Sequence, residues 1–111
     1  PLACGVSLAV ITELVDGGVV ACVPQKSDYL FNKLNLLKLK YPVIIALKGM
    51  GLLVGVELNC DLKKFVSKCF EKKLLLISAG LKVLRILPPL NVKTEEIDEA
   101  LDIFEEVLKE F

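Results

Sequence analysis

Residues 43–58 read Val43-Ile44-Ile45-Ala46-Leu47-Lys48-Gly49-Met50-Gly51-Leu52-Leu53-Val54-Gly55-Val56-Glu57-Leu58. Two β-branched or apolar runs, Val43 to Lys48 and Leu52 to Leu58, flank a Gly-Met-Gly connection, the pattern of two strands joined by a tight turn or kink. Gly55 inside the second run suggests a bulge or a close backbone approach. Upstream the period is helical: Leu30, Phe31, Leu34, Leu37 and Tyr41 recur at three- and four-residue spacing. That spacing predicts a helix from Val23 or Ser27 to Lys40, stopped by Pro42. Before it, Leu2 to about Leu14 is apolar nearly all round, which predicts a helix enclosed on every side and ended by Gly17-Gly18.

Downstream, Asp61 is a good N-cap for a helix from Leu62 to Lys73 with the stripe Leu62, Phe65, Val66, Cys69 and Phe70, and Lys72 and Lys73 suit its negative end. Leu74 to Ile77 and Lys82 to Leu87 read as short strands around the turn Ser78-Ala79-Gly80, and Pro88-Pro89 ends pairing. Thr94 is expected to cap a last helix, with Glu95, Glu96 and Asp98 in its first turn and Ile97, Leu101, Phe104 and Leu108 as its buried stripe. The order helix, helix, strand, strand, helix, strand, strand, helix predicts an α+β fold: one domain, a small and mostly antiparallel sheet with helices on one face.

Composition narrows the function classes. At 111 residues the chain has room for one core. Apolar types make up 54% of it, high enough to suggest surface normally covered by a partner subunit or a further domain, the other reading being a dense core. No apolar run approaches the ~18–20 residues of a membrane span, and no signal-peptide pattern opens the chain, so no membrane partner is expected. The chain starts at Pro1 without an initiator methionine, which fits a piece of a longer protein. Net charge is zero with no basic block, which argues against nucleic acid. The absence of histidine excludes Ser-His and Cys-His pairs and any His-containing metal site. Cys4, Cys22, Cys60 and Cys69 form no CxxC and read as buried, reduced thiols of a cytoplasmic protein, with neither a disulfide frame nor a metal site.

Among residues that could carry chemistry, Arg85 stands first. It is the only arginine beside thirteen lysines, and it sits inside Val83-Leu84-Arg85-Ile86-Leu87-Pro88-Pro89-Leu90. Alternation puts Val83, Arg85 and Leu87 on one face of the strand, with Leu84 and Ile86 on the other. A guanidinium in such a strand needs a partner, and its rigid fork matches a carboxylate with two parallel hydrogen bonds. The carboxylate belongs either to a ligand or to the protein itself; an edge arginine that reaches water is the third possibility. Gly49-Met50-Gly51 lacks the full phosphate-loop pattern and reads as a turn. Lys48 reads as a solvated strand end rather than a Schiff-base lysine. The acids of the last helix read as its wet face. No complete catalytic constellation is present.

Three segments together resemble one family. Leu47-Lys48-Gly49-Met50-Gly51-Leu52-Leu53-Val54-Gly55-Val56-Glu57-Leu58 is similar to the R-G-x-G-L-M-x-G-x-E-L signature of class III pyridoxal-phosphate aminotransferases. Val83 to Val92 is similar to their L-R-x-x-P-P-L segment, followed by Glu95-Glu96-Ile97-Asp98 where they carry E-E-I-D. Pro1-Leu2-Ala3-Cys4 with Leu8-Ala9-Val10 resembles the segment after their Gly-Gly-Asn. The pattern is closest to the acetylornithine branch; the ornithine, succinylornithine and 4-aminobutyrate branches share much of it. Lys48 departs from the usual arginine, and Leu53 stands where methionine is common.

The resemblance implies the C-terminal small domain of a fold-type I enzyme, which would pack on a large domain and work as a homodimer. It implies that Arg85 binds the carboxylate of an amino acid or 2-oxoglutarate. The Schiff-base lysine, the aspartate for the pyridine nitrogen and the phosphate cup would lie upstream of Pro1, so pyridoxal 5'-phosphate is expected in the parent enzyme and not on this chain alone. A stand-alone α+β interaction or ligand-sensing module is the competing expectation.

Overall fold

A computed structural model describes all residues, 1–111. The chain runs α1 (Leu2–Val15), a single 3-10 turn (Val20–Cys22), α2 (Val23–Lys40), β1 (Ile44–Met50), β2 (Leu53–Leu58), α3 (Leu62–Glu71), β3 (Ile77–Ser78), β4 (Val83–Ile86) and α4 (Thr94–Leu108). The four strands form one antiparallel sheet in the order β1-β2-β4-β3, so the α+β expectation holds in both content and order.

The period-2 signal of residues 43–58 is realised as a hairpin whose register runs from Ile44 opposite Leu58 to Met50 opposite Leu53. Gly49 adopts φ +132° and Gly51 φ +59°, values that side chains with a Cβ avoid. Gly55 is not a bulge: it pairs regularly with Lys48 and Arg85, and the register shift falls between Ile44 and Ala46. What Gly55 provides is space, since a Cβ there would lie 3.1 Å from Val83 Cγ1.

Alternation along β2 sends Val54, Val56 and Leu58 into the core, where they meet Leu84 of β4, Leu30 and Leu34 of α2, Phe65 and Cys69 of α3, and Phe104 of α4. Phe65 packs edge-on against Phe104 with ring centroids 5.4 Å apart. The core therefore lies wholly on one face of the sheet.

Several local expectations need correction. α3 ends at Glu71, not Lys73, because Lys73 turns to φ +66° and its N–H donates to Phe70 O while Leu74 N–H donates to Cys69 O. This closes the orphan carbonyls of the last turn. Asp61 does cap α3, accepting from the N–H groups of Lys63 and Lys64. Phe70 faces out at the end of the stripe, and Val66 is half-buried. Leu74 to Leu76 is not strand; Leu74 and Leu76 instead turn inward beside Leu30 and Phe104. The cap of α4 is Lys93 rather than Thr94, with the Glu96 carboxylate accepting from Lys93 N–H at 2.8 Å.

The largest correction concerns α1, which buries no residue. Its apolar side chains face outward on every side, and it meets the rest of the chain chiefly near Leu14, beside Leu90 and Asn91. The radius of gyration, 15.7 Å, exceeds the ~13 Å of a compact chain of this length because this helix projects. The helical stretch Leu2–Lys40 does contain an 18-residue window of mean hydropathy 1.9, contrary to the expectation that no segment comes near a membrane span. Yet α1 itself has 14 residues, ~21 Å of helix against a ~30 Å hydrocarbon core, before Asp16 and Gly18 break it.

Candidate functional site

The hairpin and β4 together place one row of residues across the sheet. Lys48 of β1 pairs with Gly55 of β2, Gly55 with Arg85 of β4, and Arg85 with Ile77 of β3. Directly paired residues share a face, so this row lies on the side of the sheet that carries no helix. Leu84, next to Arg85, is fully buried beneath the sheet, whereas Arg85 is exposed. Neighbouring strands are ~4.8 Å apart, so the backbones of Lys48 and Arg85 stand ~10 Å apart with Gly55 between them.

Arg85 makes no ion pair with any carboxylate of the chain. Of the three possibilities left by the sequence, a carboxylate of the chain itself is the one the structure does not realise: Arg85 is exposed on an open face of the sheet. Leu53, Ile77 and Leu87 on that face are each more than half exposed. An unpaired guanidinium surrounded by uncovered apolar side chains is suited to a carboxylate bearing a hydrocarbon body.

The one acid in the four strands, Glu57, lies two residues along β2 from Gly55 and accepts from Lys48 Nζ at 2.8 Å. That contact holds the Glu57 carboxyl below its ordinary pKa, with a smaller contribution from the charge of Lys82. Glu57 is thus an ionised partner of Lys48, unsuited to general-acid work near neutral pH. Lys48 is exposed and ion-paired, the reverse of the desolvated setting that makes a lysine nucleophilic.

The other candidates resolve simply. Gly49 and Met50 end β1, paired with Val54 and Leu53, so the hairpin turn itself is Gly51-Leu52, and no helix follows it. The acids of α4 and of the residues just after it are only partly a wet face: Asp98 and Glu105 are engaged from α2 and its C-cap Tyr41, and Glu106 and Glu110 from the C-cap Lys72 and from Lys68 of α3. No three Cys, Asp or Glu side chains converge as metal ligands would. Cys4 and Cys22 are exposed rather than buried, and Cys60 is half-buried; only Cys69 is enclosed, and burial pushes its thiol up to about 11. The Lys48–Glu57 pair and the α2–α4 contacts escaped the sequence reading. The first was accessible in principle, because the hairpin register puts residues 48 and 57 on adjacent strands and one face.

The chain matches the model of the aminotransferase class-III family over residues 1–108. It belongs to that family. It is 63% identical over 110 residues to acetylornithine aminotransferase of Clostridium acetobutylicum, covering 98% of this chain and 28% of that enzyme. It is 42% identical over 111 residues to the acetylornithine aminotransferase of Caldanaerobacter subterraneus subsp. tengcongensis, again covering 28% of the relative. Among solved structures, N-acetylornithine aminotransferase of Stenotrophomonas maltophilia superposes with a TM-score of 0.90 at 27% identity, over 100% of this chain and 32% of that one. The acetylornithine aminotransferase of Elizabethkingia anophelis, at 23% identity and a TM-score of 0.93, shows the same fold over 100% of this chain and 30% of its own. The chain thus spans 28% of the curated relatives named here.

The family is pyridoxal-phosphate-dependent, so the residues present must be tested against that cofactor. No charged or polar side chain is buried, which leaves no desolvated lysine for a Schiff base and no sequestered carboxylate for a pyridine nitrogen. These residues do not form the cofactor's site.

Proposed function

We propose that this chain is the small-domain portion of an acetylornithine aminotransferase and that Arg85 anchors a substrate carboxylate there. The observation that carries the reading is the unpaired Arg85 guanidinium on the open, apolar face of the sheet. In the proposed parent, the side-chain amino group of N-acetylornithine passes to 2-oxoglutarate, giving N-acetylglutamate semialdehyde and glutamate. Bound pyridoxal phosphate, held by residues outside this chain, would supply the electron sink. Arg85 would act by orientation, its fork fixing the substrate body relative to the reacting centre.

Two uncovered apolar surfaces support a larger assembly: all sides of α1, and the sheet face with Leu53, Ile77 and Leu87. A large domain and a second, identical subunit would cover them, in a cytoplasmic homodimer. The chain alone would neither hold the cofactor tightly nor transaminate.

Steady-state kinetics of the full-length enzyme carrying this domain test the reading. Arg85→Lys keeps the charge but loses the fork, and should raise the Michaelis constant for 2-oxoglutarate by at least about tenfold, as the loss of one charge-assisted hydrogen bond implies. Unchanged kinetics would remove Arg85 from the site. A wild-type full-length protein without transaminase activity would remove the enzyme reading itself.

A further inference from the structure

Leu74 and Leu76 turn inward towards α2 and α4, yet they do not fill the space they meet. A cavity of about 60 Å³ remains between them, Ile86 of β4 and the two helices. Leu30, Leu101 and Phe104 are buried at its floor, whereas Leu76, Ile86 and Ala100 are half-buried at its rim. The gap follows from the sequence of α4. Ala100 stands three residues after Ile97 and four before Phe104, so the three share a helix face on which Ala100 carries a single methyl group.

Protein interiors hold few voids larger than a water molecule, and the atoms that line one forgo dispersion contacts. Such a space takes either water or an apolar guest. Water needs several polar partners. Here nine of the eleven surrounding residues are hydrophobic, and the other two are Pro88 and Glu96. No buried side-chain nitrogen or oxygen of the chain lacks a partner, and the Glu96 carboxylate already accepts from Lys93 N–H. Water therefore finds little to bind, and the charge of Glu96 disfavours an anion. Size is set by the volume. One water needs ~10–15 Å³ on this measure, and an apolar cavity of about 150 Å³ holds benzene.

We propose that this cavity is a binding site for small uncharged apolar molecules, the size of xenon or of a hydrocarbon of about two to three carbon atoms. It lies on the helix-covered side of the sheet and is independent of any role of Arg85. A guest there would touch α2, α4 and β4 at once, and would tie Leu76, in the irregular link before β3, to α4. The recognition is by shape and dispersion alone, with no hydrogen bond to satisfy.

Methyl-resolved NMR of the chain under rising xenon pressure tests this. The expected result is a saturable shift confined to the methyl groups of Leu30, Leu76, Ile86, Ala100 and Leu101. Propane should reproduce it, whereas benzene, which is too large, and acetate, which is charged, should not. Ala100→Val fills the space from α4 and Leu76→Phe fills it from the link before β3. Each should abolish the saturable shift, with the dispersion of the remaining methyl signals reporting that the variant is folded. Shifts that rise without saturating, or that appear only on exposed methyl groups of α1 such as those of Leu2, Val6 and Leu8, would mean surface adsorption and overturn the proposal. So would a saturable shift that persists in either folded variant, or benzene binding as strong as that of xenon.

Discussion

The hydroxyl of Tyr29 on α2 donates to the carboxylate of Asp98 on α4, 2.8 Å from each oxygen, while Lys33 Nζ stands 3.2 Å from the same group. About two turns further along α4 the arrangement recurs, with Tyr41 and Lys40 on Glu105. On the other flank, Lys72 at the C-cap of α3 engages Glu106 of α4, and Lys68 of α3 engages Glu110 just past the end of α4. The acids of α4 therefore fasten it to both neighbouring helices over the sheet. Tyr29 is the largest influence lowering the Asp98 pKa, burial opposes it, and Lys33 adds to the lowering.

These carboxylates titrate lower folded than unfolded, where their ordinary values are 3.8 for Asp and 4.5 for Glu. A depressed folded pKa contributes stability that is present above the unfolded value and lost as pH falls through the folded one. The melting temperature should hold steady from about pH 7 to pH 5 and then drop through the carboxylate range. Tyr29→Phe removes one such group's advantage, so it should melt lower at pH 7 and lose less than the wild type on acidification. Parallel curves for the two proteins would show that the Tyr29 contact contributes nothing to this pH dependence.

Gly49 and Gly80 separate strain from steric conflict. Both have positive φ, +132° and +84°. A Cβ on Gly49 would lie 2.1 Å from Leu53 O, inside the hairpin, whereas one on Gly80 meets open space. Gly80→Ala should cost about 1–2 kcal/mol, the penalty of a left-handed residue. Gly49→Ala must also displace the partner strand and should cost about 3 kcal/mol or more. Urea denaturation of both variants checks this; equal losses would mean that the hairpin backbone shifts freely.

The sequence exposed the elements through periodicity, and the fold class followed from the change of period at residue 43. Ends were less legible wherever tertiary contact decides them: Leu74 and Leu76 leave strand geometry to reach the core, and Lys73 takes a left-handed turn usually given to glycine. The open face was illegible for a related reason. Val83-Leu84-Arg85-Ile86 shows alternation but not which face is covered, so whether Arg85 meets a carboxylate or water stayed open. Arg85 could be singled out from composition alone. The hairpin could in principle have paired Lys48 with Glu57, but that Arg85 lies across Gly55 from Lys48 depends on β4 pairing with β2, which no local pattern states.

A small apolar cavity of about 60 Å³ lies between β4, α2 and α4, lined by Leu30, Leu76, Ile86, Ala100, Leu101 and Phe104 among others. Ala100→Val adds two methyl groups towards this space. Burying them favours the fold by ~1.6 kcal/mol, and the weaker helix propensity of valine takes back ~0.6 kcal/mol. A net gain of about 1 kcal/mol should raise the urea midpoint without changing the slope. A fall in the midpoint would show that the cavity closes by side-chain motion and that the variant is overpacked.

α1 offers the sharpest separation of folding from assembly. It contributes no buried residue, yet Leu2, Val6, Leu8, Val10, Ile11 and Val15 are all more than half exposed. Tolerance of truncation follows from burial of the affected backbone and side chains, so removing residues 1–15 should leave the melting temperature of the remaining chain within about 2 °C of the original. The same deletion should strongly reduce binding of a hydrophobic dye and self-association, because it removes a helix whose apolar side chains are exposed on every side. Light scattering and dye fluorescence on the two chains read this directly. A large loss of melting temperature would place α1 in the core of the isolated chain, and unchanged dye binding would assign the exposed apolar surface to the open sheet face around Arg85 instead.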